Sequence, residues 1–116
     1  YFAKDTVGVA FLDASTGEFF TTQGDLNYIE KLLQGFQPSE ILYCKPQKTQ
    51  FFETFGDKYA TYAIDDWVFT YDHAYSTLTQ HFKTTSLKGF GIENLTEGIV
   101  AAGGILHYLA EAEHKN

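Results

Sequence analysis

The chain has 116 residues, of which 44% are hydrophobic and only 20% charged, as in a single well-packed globular domain. Its formal net charge is −7 and all eight basic residues are lysines. It is therefore not expected to bind duplex DNA, because such binding requires neutralised phosphates and often bidentate arginine. A single cysteine, Cys44, and the absence of a signal-peptide pattern or of an apolar run of roughly 18 residues predict a cytoplasmic protein without disulfides or a membrane partner.

The first predicted element is an antiparallel hairpin. Residues 1–3 resemble the end of a strand that is already under way. Residues 7–13 are β-rich and almost continuously apolar, as in a central strand. Turn-forming residues at 14–17 then lead into a second strand over 18–22.

Helices and strands alternate after this hairpin. The pattern predicts an α/β architecture, in which a mixed sheet begins with antiparallel strands, continues with parallel ones and is covered by helices. The predicted elements are a helix capped by Asp25 and ended by Gly35, with Leu26, Ile29, Leu32 and Leu33 buried, a strand over 40–44, a helix over 47–55, a strand over 58–64 and a helix over 70–82.

The helix over 70–82 has two different faces. Ala74, Leu78 and Phe82 are spaced four apart and predict a buried stripe. The opposite strip is polar and uncharged, which lowers the cost of desolvation and suits a reversible contact, although an ordinary polar surface explains the same pattern equally well. The strip consists of His73, Ser76, Thr77 and Gln80.

A last helix is predicted from about Leu95. Asn94 and Glu97 have the spacing of a capping box. Gly103 and Gly104 lie inside the helix, where each glycine costs about 1 kcal/mol relative to alanine. They predict close packing against the sheet or another helix, with a ligand on the glycine face as the alternative.

No pattern in the sequence predicts a catalytic, metal or cofactor site. Asp13 ends a strand, as the carboxylates of two-metal nucleases can, but it also suits a local turn with residues 15–17. The four histidines lack metal-ligand spacing, and Gly89-Phe90-Gly91 is typical of a turn rather than of a dinucleotide fingerprint. The other acidic residues considered for a two-metal site are Glu18, Glu40, Asp65 and Asp66.

Four segments, in order, resemble the connector domain (domain II) of the MutS family of DNA mismatch-repair proteins. The resemblance implies a ribonuclease-H-like fold and one connector domain over residues 1–116, excised from a larger protein, with its first strand truncated. The segments are 13–19, 38–42, 82–93 and 101–109.

The resemblance also implies a function without catalysis in this domain. A connector links the mismatch-recognition domain to the core and ATPase parts of MutS and offers a docking surface for MutL. Mismatched DNA would be bound only through the full-length protein, which would be dimeric. The alternative is a ribonuclease-H-type metal-dependent nuclease, in which Asp13 would lie on the second strand instead of the first. We hypothesise that the MutL contact is formed by His73, Ser76, Thr77 and Gln80.

Overall fold

The computed structural model describes residues 1–83, 91–92 and 94–114, with side chains as far as residue 112. The predicted Gly89-Phe90-Gly91 turn therefore lies, apart from Gly91, outside the described residues. Two short 3-10 helices, Lys45–Gln47 and Asp66–Val68, precede the second and third α-helices. The other elements are β1 (Val7–Leu12), β2 (Phe19–Gly24), α1 (Leu26–Phe36), β3 (Glu40–Cys44), α2 (Lys48–Phe55), β4 (Ala60–Ile64), α3 (Tyr71–His81) and α4 (Thr96–His114).

The strands pair as an antiparallel hairpin and a parallel pair. β1 and β2 run antiparallel, from Val7 opposite Gly24 to Leu12 opposite Phe19. β3 and β4 run parallel, with Glu40 opposite Ala60 and the register kept to the end of both strands. The predicted order of a hairpin followed by parallel strands is confirmed. One continuous mixed sheet is not observed, because the described residues form two separate two-stranded sheets.

The first residues of the chain lie at the seam between these sheets. Phe2 forms one isolated antiparallel bridge to Val7 in place of the predicted strand end. Its N–H donates to Gln47 Oε1 at 2.9 Å, and Gln47 Nε2 donates back to the Phe2 carbonyl at 2.6 Å. The side-chain amide thus takes the position of a neighbouring strand. Among the described residues, no backbone ladder joins the two sheets. The Tyr1 nitrogen donates to the Gly8 carbonyl at 2.8 Å.

Helices cover both faces of the strands. Successive side chains of a strand point to opposite faces, so Tyr43 stacks on Phe51 of α2 while its neighbours Leu42 and Cys44 pack under α4. The cluster beneath α1 and α2 includes Phe2, Val7, Ile29, Leu33, Tyr43 and Phe51. The clusters beneath α3 and α4 include Ala74, Leu78, Ile99, Ala102 and Leu106, and Cys44, Ile64, Val68, Phe69 and Val100.

Helix α4 packs closely on its neighbours, as its glycines predict. A Cβ on Gly103 would lie 2.6 Å from the Ala74 Cβ of α3, and a Cβ on Gly104 would lie 3.0 Å from the Phe69 ring. The helix begins at Thr96, one residue later than predicted. Its first turn is capped from β2, because Gln23 Oε1 accepts hydrogen bonds from the N–H groups of Glu97 and Gly98 at 2.9 and 3.1 Å.

Helix α1 follows its local sequence with two corrections. The Asp25 carboxylate accepts a hydrogen bond from the Tyr28 N–H at 2.9 Å, which confirms the predicted cap. The helix continues past Gly35 to Phe36 and is capped by Gln37, whose φ of 49° is left-handed. Leu26 is 40% exposed, so its predicted burial is wrong. It is the first residue of the helix and lies outside the cluster that Ile29, three positions later, enters.

The buried stripe of α3 is confirmed at two of its three positions. Ala74 and Leu78 are buried and pack with Leu106 of α4. Phe82 is 38% exposed, so its predicted burial is wrong. The helix ends at His81, and a side chain beyond the helix end no longer follows the helical period. The Phe82 ring instead meets the edge of Phe19 at 6.4 Å between centroids.

Candidate docking surface

The connection from β4 to α3 presents a large aromatic side chain to solvent. β4 ends at Ile64 and a single turn of 3-10 helix follows. Val68 and Phe69 are buried in the cluster beneath α4 and fix this turn in place. Trp67, the residue before them, is directed outward and is 54% exposed.

Two histidines from different helices flank this tryptophan. The ring centroids of Trp67 and His73 of α3 are 5.2 Å apart, and those of Trp67 and His107 of α4 are 5.1 Å apart. The two imidazoles lie 5.7 Å from each other, and all three pairs are edge-to-face. We call these three residues the aromatic cluster. Because each ring is supported by the other two, the cluster can bind with little loss of side-chain entropy.

A shallow cavity of about 100 Å³ adjoins the aromatic cluster. His107 and Glu111 of α4 line one side of it, and Tyr62 of β4 lines another. The Tyr62 ring in turn meets Tyr108, whose hydroxyl donates to a Glu40 carboxylate oxygen at 3.1 Å. Aromatic surface therefore extends from the connection before α3 across α4.

Carboxylates dominate the charge around the aromatic cluster. His107 Nε2 lies 3.1 Å from Glu111 Oε1, and Asp66 and Asp72 are exposed beside Trp67 and His73 in the chain. Lys45 is the cation that lines the cavity, and its Nζ lies 2.9 Å from an Asp65 oxygen. This hydrogen bond from the ammonium to Asp65 raises the pKa of Lys45.

The predicted polar strip lies on α3, next to the aromatic cluster. His73 belongs to both, and Ser76 and Gln80 are exposed. Thr77 is half-buried, and its hydroxyl donates to the His73 carbonyl at 2.8 Å, a hydrogen bond within the helix. The four residues thus share one face as the spacing predicts, and their role in docking stays a prediction.

Sequence reasoning missed three residues of this surface: Trp67, His107 and Glu111. Trp67 is the only tryptophan of the chain and directly follows two aspartates at a strand end. His107 and Glu111 are spaced four apart, which places them together on a helix. These local patterns could have marked the residues as a polar and aromatic surface, but only the packing of α3 on α4 brings His73 and His107 together.

Three of the five acidic residues considered for a two-metal site have separate partners. Asp13 accepts hydrogen bonds from the Ser15 N–H at 2.9 Å and the Ser15 hydroxyl at 2.6 Å, and these bonds lower its pKa. Glu40 accepts from Tyr108, and Asp65 pairs with Lys45. Within residues 1–83, 91–92 and 94–112, no group of three or more metal-ligating side chains is placed to hold an ion.

A second exposed aromatic surface lies on the face of the hairpin that contacts α1. Phe11 and Phe36 stack with 4.1 Å between ring centroids, and Phe20 lies 5.6 Å from Phe36. Phe20 and Phe36 are 41% and 49% exposed. We call Phe11, Phe20 and Phe36 the phenylalanine patch.

No helix in the described part of the chain is long and apolar enough to cross a bilayer.

Comparison with known proteins gives consistent matches over the whole chain. The family model for MutS domain II matches residues 1–116. The chain is 63% identical over 115 residues to the DNA mismatch repair protein MutS of Cytophaga hutchinsonii, 56% over 114 to that of Flavobacterium psychrophilum and 49% over 114 to that of Bacteroides thetaiotaomicron. These alignments cover 98–99% of this chain and 13% of each relative. The chain thus spans 13% of the length of these curated relatives.

Proposed function

Because the chain belongs to the MutS domain II family, we propose that it is the non-catalytic connector domain of a DNA mismatch-repair protein MutS. In this role it links the mismatch-recognition domain to the core and ATPase parts of the parent protein and offers a docking surface for MutL. The parent would be a cytoplasmic dimer that binds mismatched DNA and hydrolyses ATP through its other domains. The domain itself would need no cofactor.

Two separate exposed aromatic surfaces support a connecting role. The phenylalanine patch lies on the α1 face of the hairpin, whereas the aromatic cluster lies where α3 meets α4. Contiguous exposed apolar surface marks sites of contact with other proteins or domains. We assign the phenylalanine patch to a neighbouring domain of the parent and the aromatic cluster, with the polar strip, to MutL.

We also propose that the two sheets are halves of a ribonuclease-H-like sheet. Phe2 supports this because it bridges to Val7 of β1 on one side and is held by Gln47, which follows β3, on the other. A first strand at this position would lie between the hairpin and the parallel pair. The nuclease alternative is not proposed, because its most suggestive carboxylate, Asp13, is engaged by its own turn.

The observation that carries the docking proposal is the exposed Trp67 beside the polar strip of α3. Ser76→Lys combined with Gln80→Lys should place two positive charges on the exposed part of this strip. We expect at least a tenfold loss of MutL recruitment by full-length MutS at mismatched DNA, because two ammonium groups would be desolvated in the contact. Ser76→Lys with Thr77→Lys should act in the same way.

The control is Asn27→Lys with Gln34→Lys, which adds the same charge to exposed positions of α1, on the other side of the strands. The control should recruit MutL like the wild type, and all variants should keep mismatch binding and ATP turnover. Unchanged MutL recruitment by the Ser76 and Gln80 variant would place the docking surface elsewhere.

A further inference from the structure

We infer that the aromatic cluster receives a cationic side chain, arginine or lysine, from the protein that docks on it. This inference rests on the proposed function, since it takes this surface as the MutL contact and adds the chemistry of that contact. Trp67 would be the anchor, and the surrounding carboxylates would pair with the cation.

Trp67 has the properties of an interface anchor. More than half of it is exposed, yet the next two residues, Val68 and Phe69, are buried, and the His73 and His107 rings lie against its ring. Tryptophan is among the residues most enriched where a few side chains supply most of the binding energy. A ring already held in place loses little conformational freedom when a partner binds.

The charge around Trp67 favours a cation over an apolar side chain. Asp66 precedes it, Asp72 precedes His73, and Glu111 contacts His107. An apolar partner would bury the Asp66 and Asp72 carboxylates without partners, which is costly. A guanidinium or ammonium group over the indole face gains a cation–π interaction and can pair with the same carboxylates.

The chain itself offers little competition for this position. It contains no arginine and carries a net charge of −7. Lys45, the lysine at the adjoining cavity, already pairs with Asp65. The cation is therefore expected from the partner, and the opposite net charge of a basic partner surface would also speed its association.

Exposed aromatic rings also stack on the bases of single-stranded nucleic acids. Such sites combine the rings with a positively charged groove that follows the phosphates. Here the residues around Trp67 carry carboxylates, which repel phosphate. A cationic protein surface fits the observed chemistry, and a nucleic acid does not.

The test compares variants of full-length MutS with MutL from the same organism, on mismatched DNA. Trp67→Ala should weaken MutL binding at least tenfold, and Trp67→Phe should restore part of it because an aromatic face returns. Asp66→Lys with Glu111→Lys should also weaken binding at least tenfold and abolish most of its salt dependence. The matched control, Glu30→Lys with Glu53→Lys, reverses two exposed acidic residues of α1 and α2 and should bind MutL normally.

The outcomes separate this inference from the proposed function. If Trp67→Ala weakens MutL binding but the Asp66 and Glu111 reversal does not, the surface docks MutL through apolar contact and the cation is wrong. If none of these variants weakens binding, the docking surface is elsewhere, and the inference fails with it. If Trp67→Ala instead weakens DNA binding in the absence of MutL, measured by fluorescence anisotropy, the surface binds nucleic acid and the inference is overturned. Thermal unfolding of each variant checks that the exposed substitutions leave the fold intact.

Discussion

At the scale of single residues, the Gln47 side chain joins two parts of the fold. Its amide forms two hydrogen bonds with the backbone of Phe2, a residue whose own side chain is buried in the cluster beneath α1 and α2. These bonds connect the start of the chain to the segment after β3. One amide thus holds together parts of the fold that are distant in sequence.

Replacing Gln47 by leucine should therefore destabilise the domain. The N–H and carbonyl of Phe2 would both lose their partner, and a part-buried unsatisfied polar group costs about 1–3 kcal/mol. We expect a loss of about 2 kcal/mol in the free energy of unfolding, measured by urea denaturation. Gln50→Leu, at an exposed position of α2, is the control and should change stability little. Equal midpoints for the two variants would contradict the role of Gln47.

At the scale of elements, close helix packing determines the geometry of the candidate surface. His73 and His107 meet because α3 and α4 approach each other at Gly103, which lies against Ala74. Gln23 of β2 caps the first turn of α4. The distance between the two imidazoles is thus set by a glycine in the helix interior.

Alanine substitutions at two helical glycines should have opposite effects. In Gly103→Ala the new methyl group would lie 2.6 Å from the Ala74 Cβ, so α3 and α4 must separate, and overpacking of this kind costs about 1–3 kcal/mol. In Gly35→Ala no atom lies within 4 Å of the new methyl group, so the higher helix propensity of alanine should stabilise the protein by up to about 1 kcal/mol. Thermal or urea unfolding measures both changes. A stabilising effect at Gly103 would show that the two helices are not in close contact.

At the scale of the whole molecule, the net charge of this domain argues against direct binding to DNA. A net charge of −7 without arginine leaves little to neutralise DNA phosphates. The carboxylates around Trp67 carry negative charge, which suits a basic protein partner. The domain would then contribute to mismatch repair through contacts with proteins and not with DNA.

The isolated chain should accordingly show no measurable binding to duplex DNA at physiological salt. Fluorescence anisotropy with a labelled duplex, with and without a mismatch, measures this directly. Micromolar binding that weakens as salt is added would contradict the expectation, because such binding requires several neutralised phosphates.

The sequence by itself determined the features that depend on neighbouring residues. Asp25 caps α1 through its own first turn, and Gly56 ends α2 with a φ of 73° that suits glycine. The alternation of hairpin, helices and strands was likewise predictable, because hydrophobic periodicity and turn residues act locally. The polar strip of α3 follows from helical spacing in the same way.

Only the tertiary structure decided the features that depend on residues far apart in the chain. Phe69, just before α3, is buried, whereas Phe82, just after α3, is 38% exposed. The meeting of His73 with His107, and the position of Gln47 between the two sheets, depend on how complete elements pack. The sequence pattern gives the face of each helix but not its distance from the next one, and that distance determines which side chains touch.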